Sequence, residues 1–434
     1  MNPAQLRQLI QQNEGQQIEF KPESEKQGDL AEVLMAFANA EGGYLFVGVS
    51  DEGQIAGVEN VKTVVDRLYA AARRLGPSLH GVARVEQVEV DDKIVIVATV
   101  PESLTATYAL AGSFKIREGS FNRQMTAADV VSHAVQRGQL DYEETPVSEA
   151  TLDDLDEQRV KDFLVKRLRT SIPDQPLQQL LQTFHAATTD AQTIQRPTVA
   201  GLLFFGDWPQ FRLNHATILA ARLVGARGVQ ISDRATIEGT IPEMIDHAIQ
   251  FVQRNTRHGL QIGDSQIGRA REIDEYPSAA VREAITNACC HRDYLERAPI
   301  QLKIYDDRLV IGNPGGLLPG LNVAQLEGKH KARNPLLADW LQVLGYVERF
   351  GIGILRMREA MQQVGLPSPV FASRPDWFEV TLRGPDANLT VRQPETVATL
   401  RQAQDIAADL PRLHPSASEA RVNLSWYNQV WSFR

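Results

Sequence analysis

Cysteine is nearly absent from this chain: Cys289 and Cys290 are the two in 434 residues, and they are neighbours. Adjacent helical residues do not reach disulfide geometry, so a disulfide-stapled fold is excluded and a reducing compartment, the cytoplasm, is expected. No apolar run approaches the roughly 18 to 20 residues needed to cross a bilayer. The opening MNPAQLRQLIQQNEGQQ lacks the basic start and apolar core of a secretory leader. Positive charge is also short, with 45 Lys and Arg against 54 Asp and Glu, a net charge of −9 and a pI near 5.6. A polyanion would therefore be met through a local patch and not through the overall field. No repeat of fixed period is visible, which excludes a solenoid. What is present is ordinary globular composition, 43% hydrophobic and 23% charged. At about 150 residues per domain, the length gives roughly three units.

Residues 1–140 read as a compact α+β unit. A helix Pro3 to Gln12 precedes a short strand Gln17 to Lys21, a helix Leu30 to Ala40 and a strand Tyr44 to Ser50, and further strands follow at Arg84 to Val90, Ile94 to Val100 and Phe114 to Arg117. Residues 141–158 accumulate Asp and Glu without a Lys or Arg and read as a solvated acidic linker, whose end becomes the acid-rich start of a helix Glu157 to Thr170. An α/β middle region, 159–270, carries an apolar strand Ala200 to Phe205, a strand near Ile218 to Leu223 and a helix Ile241 to Thr256. Residues 271–384 show a helix, a strand pair around Gln301 to Ile311, a Gly/Pro-rich loop and a helix starting near Gly353. The tail 385–434 has no strong pattern until Trp426.

In the strand IEFK, side chains alternate, so Ile18 and Phe20 face a core while Glu19 and Lys21 share the other side. Glu14 lies just before and Asp51 ends the strand YLFVGVS, where Gly42-Gly43 permits a tight turn out of the preceding helix. If the two strands are neighbours, three carboxylates (Glu14, Glu19, Asp51) and the Lys21 ammonium converge at one sheet edge. That set suits Mg²⁺ or Mn²⁺ and metal-assisted phosphodiester cleavage. A solvated strand face with one ion pair is the other reading of the same residues.

Glu14, Glu19-Phe20-Lys21, Ala36-Phe37-Ala38-Asn39, Gly42-Gly43 and Gly48-Val49-Ser50-Asp51 stand in the order and spacing of the Schlafen/AlbA-like domain, which the first 130 or so residues resemble. In eukaryotic members the positions matching Glu14, Glu19, Lys21 and Asp51 belong to a ribonuclease site, whereas bacterial relatives are described as DNA-binding regulators. Both meanings are implied by the resemblance alone. Acidic residues outnumber basic ones in this segment, so its candidate nucleic-acid contacts are the local cations Arg73, Arg74, Lys115, Arg117 and Arg123, which equally suit an ordinary charged surface.

Further along, AAVREAITNACCHRDY reads as a helix with Glu283, Asn287 and His291 at i, i+4 and i+8, a polar row among small and apolar residues. Such a row is costly to bury unless something binds it, so Glu283 is a candidate to polarise water and Asn287 to hold magnesium against a triphosphate; an exposed face with a C-terminal cap is the alternative. Gly315-Gly316 after Pro314 form a turn a base or ribose can approach. Gly351 and Gly353 precede a helix whose free N–H groups favour phosphate.

This order resembles the ATP-binding fold of the GHKL group, an α/β sandwich, in the divergent form found in RecG-like "predicted transcriptional regulator" proteins that begin with a Schlafen/AlbA-like domain. HRDY, DDRLVIGNPGGLLPGL, RNPLLADWL and GYVERFGIGILRM carry the likeness. The GHKL turn begins with an Asp that accepts from the adenine amino group; here the position is Asn313, which accepts through its carbonyl but loses the charge-assisted interaction. Relatives often end in a winged helix, for which the residues after Gly384 are too few. The resemblance thus implies ATP and Mg²⁺ (or Mn²⁺) as cofactors, DNA or structured RNA as partner, no membrane, and a homodimer. The expected function is a nucleotide-responsive nucleic-acid-binding regulator, with a metal-dependent endoribonuclease as the alternative.

Overall fold

The computed structural model describes residues 1–262, 270–327, 331–347 and 351–385, and the tail expected from 385 lies, but for its first residue, outside them. Near the N-terminus, Ile18–Lys21 runs parallel to Gly42–Val47, which pairs antiparallel with Lys93–Pro101 and so leads to Arg84–Val90 at the far edge of a four-stranded sheet. Alternation splits its side chains between two cores. Leu45, Val47, Ile96 and Ala98 pack beneath the helices Gln27–Ala38 and Val61–Arg73, while Ile18, Phe20, Phe46 and Val97 pack against Leu6 and Ile10 of the helix Pro3–Ile10. The turn into Gly42–Val47 needs glycine, because Gly42 has φ +79° and a Cβ there would stand 2.6 Å from the Val100 carbonyl oxygen.

Asn39 ends the helix Gln27–Ala38 and is 1% exposed. Its Nδ2 donates to the carbonyls of Tyr108 and Lys115 (both 2.9 Å), and its Oδ1 accepts from Tyr108 N (2.8 Å). His133 Nε2 lies 2.7 Å from the Asn39 carbonyl and Nδ1 3.0 Å from Thr107 Oγ1. Burial, with the Arg137 charge second, lowers the pKa of His133 to about 4, so the ring is neutral and donates through Nε2. One motif residue thereby ties the helix Gln27–Ala38, the strand Lys115–Glu118 and the helix Ala127–Gln136 together.

The remainder of this unit is a six-stranded mixed sheet in the order Gln230–Ile237, Ile218–Val224, Ile300–Ile304, Arg308–Pro314, Trp377–Arg383, Val370–Ser373. Its one parallel pairing, Ile218–Val224 with Ile300–Ile304, joins the expected middle region to the expected third region in a single ladder. One hydrophobic core runs from Ala150 to Leu382, and the helices Ile241–Asn255, Ser278–His291 and Gly353–Gln363 contribute Phe251, Ile285 and Met361 to it. The strands His258–Ile262 and Ala270–Asp274 pair with each other. No helix among the described residues is long and apolar enough to cross a membrane.

Two expectations fail. The apolar run Ala200 to Phe205 is not a strand but part of the helix Val199–Phe205, started by Thr198, whose Oγ1 accepts from Gly201 N (2.9 Å). Every residue of that helix is buried, and a short run buried all round carries no period from which to tell helix from strand. The segment 141–158 is not a solvated linker. Tyr142, Val147 and Leu152 pack on the large core, and Glu143 is 1% exposed.

The Glu143 carboxylate accepts from Leu336 N (2.7 Å) and Leu337 N (2.8 Å), capping the helix Pro335–Val343, which starts with proline and has no side-chain cap of its own. Burial outweighs these two hydrogen bonds and raises its pKa from the usual 4.5 to about 7. Below pH 4.5 both folded and unfolded chains hold this proton, and between 4.5 and 7 only the folded chain does. The stability it contributes is therefore lost as pH rises through 7. Urea unfolding at pH 5 and pH 8 should show the parent losing about 2–3 kcal/mol more than Glu143→Gln across that interval; equal losses would contradict it.

Candidate functional site

A cavity of about 500 Å³ opens between the helix Ser278–His291, the N-terminal turn of Gly353–Gln363 and the sheet strands Arg308–Pro314 and Trp377–Arg383. Glu283, Asn287, His291, Asn313, Gly315, Gly316, Gly351 and Gly353 all line it, so eight residues picked out along seventy positions of sequence meet at one place. Asn287 Nδ2 donates to Glu283 Oε1 (2.9 Å), one helical turn away, which orients the amide and leaves its oxygen toward other partners. A Cβ on Gly353 would stand 1.7 Å from Glu283 Oε1, so the carboxylate rests directly on the start of the second helix, whose N-cap, Ile352, offers no side-chain acceptor.

His291 also lines the cavity. Surrounding protein, with Arg333 second, lowers its pKa to about 4 and keeps the imidazole neutral. Asn313 stands opposite Phe378 in the ladder and is 4% exposed, and its Oδ1 is buried with no hydrogen-bond partner. A buried acceptor left open beside a cavity is expensive, and a ligand N–H supplies what the protein does not. Phe371, Phe378, Val380 and Met357 provide an apolar wall.

After Asn313 the chain turns through Gly315, at φ +90°. Gly315 N donates to the Asp376 carbonyl (2.8 Å) and Gly316 N to that of Pro375 (3.2 Å). The turn is clamped from the other side by Arg333, which pairs with Asp293 (3.0 Å) and donates to the Gly316 carbonyl (2.7 Å), both side chains being at most 5% exposed. Sequence reasoning missed this clamp and the rim cation Lys331. Asp293 and Arg333 lie forty positions apart, and their only local signal was their presence in HRDY and RNPLLADWL.

The N-terminal carboxylates are arranged differently. Glu14 Oε1 accepts from Phe20 N (2.8 Å), an outward-facing amide of the edge strand Ile18–Lys21. Glu19 does point away from Phe20, but the helix Gln27–Ala38 and the hairpin Lys115–Glu118/Phe121–Gln124 cover that face, and the residue is 6% exposed. Its Oε1 accepts from Lys21 Nζ at 2.5 Å, and its Oε2 lies 2.6 Å from Arg117 Nη2. Arg117 aims its N–H bonds at the Gly15 and Ile18 carbonyls and Asn122 Oδ1, so its link to Oε2 is a contact of charge and not a directed hydrogen bond. Burial works against the Lys21 charge, but Glu19, helped by Glu14 and Glu25, raises its pKa and keeps it an ammonium. Asp51 is exposed in the turn beyond Gly42–Val47. Among the described residues, no three His, Cys, Asp or Glu stand where a metal ion would be held, so the expected cluster of Glu14, Glu19 and Asp51 does not fit one.

The basic candidates separate likewise. Arg117 has a fully buried side chain under the ring of Phe37 and cannot reach a ligand. Lys115 pairs with Glu32 (2.5 Å), and Arg123 with Glu118 and Asp129 (2.8 Å each). Arg73 and Arg74 are exposed and make no ion pair among the described residues.

Three family models match the chain. Residues 14–126 match "Schlafen, AlbA_2", residues 133–217 match a domain of unknown function (DUF8451), and residues 297–382 match HATPase_c_4, described as "Putative ATP-dependent DNA helicase recG C-terminal". The last match begins after the Glu283 helix, which joins that domain by geometry. No curated protein matches. Among solved structures, the DIP2311 protein of Corynebacterium diphtheriae is 23% identical over 85% of this chain, with TM-score 0.42; this chain spans 65% of its length. The "N-terminal Domain of Putative ATP-dependent DNA Helicase RecG-related Protein" of Nitrosomonas europaea is 23% identical over 29% of this chain and 91% of its own, with TM-score 0.22.

A Cβ on Gly316 would meet the Arg374 carbonyl oxygen at 2.0 Å and that of Pro375 at 2.8 Å, both backbone. Gly316→Ala should therefore lower the unfolding free energy by about 1–3 kcal/mol. An unchanged urea midpoint would show that the turn is not seated this tightly.

Proposed function

We propose, for a chain that carries an N-terminal Schlafen AlbA_2 domain and a C-terminal HATPase_c_4 domain, that it is an ATP-binding, nucleic-acid-associated regulator whose nucleotide lies in the cavity below Asn313 and Glu283. The observation that carries this reading is the convergence there of the Glu/Asn helix, the glycine turn and an uncapped helix start, beside an unpartnered buried acceptor. ATP with Mg²⁺ supplies a phosphoanhydride and the charge to be held beside it. On the protein side, the open N–H groups at Gly353 suit phosphate oxygens, and Lys331 adds the rim charge. The Asn287 oxygen is the group suited to the metal, since its N–H is committed to Glu283. Glu283 is the carboxylate placed to take a proton from water, and the Asn313 amide suits the hydrogen-bonding edge of a base.

Regulation needs a path to the other domain. Leu317, Leu318 and Leu321 line the cavity, and in the same loop Gly320 lies against Leu104 of the N-terminal domain, where a Cβ would stand 3.0 Å from Leu104 Cδ1. A ligand that reseats this loop changes that contact. Arg73 and Arg74 are the exposed cations through which the N-terminal domain would meet phosphate. The endoribonuclease reading gains no support from the placement of Glu14, Glu19 and Asp51.

Isothermal titration should detect Mg²⁺-dependent ATP binding, weakened about tenfold or more by Asn287→Ala. Gly353→Ala should abolish binding with little loss of stability, because the atom in its way is the movable end of Glu283. Absence of ATP-dependent heat in the parent, or an Asn287→Ala variant that binds as well as it, would overturn the reading.

A further inference from the structure

Two carboxylates five positions apart, Glu14 and Glu19, invite a divalent cation, and their surroundings meet that demand with the protein's own cations. Hard divalent metals need several carboxylate or carbonyl oxygens turned toward one point. Glu14 spends Oε1 on the Phe20 amide, and both oxygens of Glu19 already face cations, Lys21 at 2.5 Å and Arg117 at 2.6 Å. The Glu19 carboxylate is thus already answered on both oxygens by the protein's own cations, which leaves neither oxygen open for a metal ion.

Arg117 is also held on several sides. Its side chain is fully buried, stacks 5.1 Å from the Phe37 ring centroid, and donates to Gly15, Ile18 and Asn122. Swinging it aside to admit a metal would strand a buried guanidinium and open the edge strand it closes.

We propose that Arg117 is the permanent counter-cation of Glu19, standing where a divalent metal would otherwise be needed, and that the N-terminal domain holds nucleic acid without a metal. The nucleic-acid half rests on the function proposed above; the metal half stands alone. Arg117 and Glu19 then act as positioning residues, fixing the Lys21 ammonium and the edge strand.

The full-length protein without nucleotide would be titrated with Mn²⁺ and free Mn²⁺ followed by electron paramagnetic resonance, for the parent, Glu19→Gln and Asn287→Ala. Parent and Glu19→Gln should take up the same Mn²⁺ up to about 1 mM. Uptake lost in Glu19→Gln but kept in Asn287→Ala would overturn the proposal, as would Mn²⁺-dependent RNA cleavage abolished by Glu19→Gln. In thermal melts Arg117→Gln should lower Tm, and adding Glu19→Gln should recover part of the loss by removing the stranded carboxylate. A double variant no more stable than Arg117→Gln would contradict the pairing. Binding of labelled RNA and DNA should change less than about twofold on adding EDTA, and a tenfold weakening would count against the proposal. If neither nucleic acid binds, the functional reading above fails while the Mn²⁺ titration still decides the metal question.

Discussion

The cavity depends on one close approach, the Glu283 carboxylate lying against the backbone of Gly353. With no side chain at Gly353, the Glu283 carboxylate of the helix Ser278–His291 lies against the start of Gly353–Gln363, and that proximity turns a polar row on one helix into the wall of a site. A carboxylate beside a helix N-terminus is also favoured by the positive end of the helix. Asn287 follows from it, since its orientation is set by its bond to the same carboxylate.

Elsewhere, among the described residues, several buried charged groups have partners close in space. Arg333 pairs with Asp293 and clamps the glycine turn, and Arg292 donates to the carbonyls of His215, Glu296 and Ala298. Glu143 caps a helix across nearly two hundred positions, and Arg117 neutralises Glu19 across almost a hundred. Breaking one partner of such a pair typically costs several kcal/mol, because the survivor stays buried. These groups therefore fix the architecture around the cavity and the edge strand without being available to ligands. The exposed Arg73, Arg74 and Lys331 remain available for that role.

Local pattern made part of this legible. The spacing of Glu283, Asn287 and His291 predicted a polar stripe on one helix, and the glycines at 315, 316, 351 and 353 marked the places where backbone approaches the cavity; all of them line it. Alternation in IEFK placed Glu19 opposite Phe20, as observed. What alternation does not reveal is whether the second face is covered, and here Arg117, far away in sequence, turns a seemingly solvated face into a buried ion pair. The acidic stretch 141–158 was misread for the same reason, since the partners of Glu143 are amides of residues 336 and 337. The helix Val199–Phe205 was misread because uniform burial erases the period that distinguishes helix from strand.

The most direct test of a nucleotide in this cavity is hydrogen–deuterium exchange of the full-length protein with and without Mg²⁺–ATP, read for peptides covering residues 315–321 and 351–356. The account predicts slowed exchange in both, since the glycine turn and the open helix start would each gain a ligand partner, together with a change around Leu104. Exchange unchanged in these segments at a saturating ATP concentration, or protection confined to other parts of the chain, would contradict it.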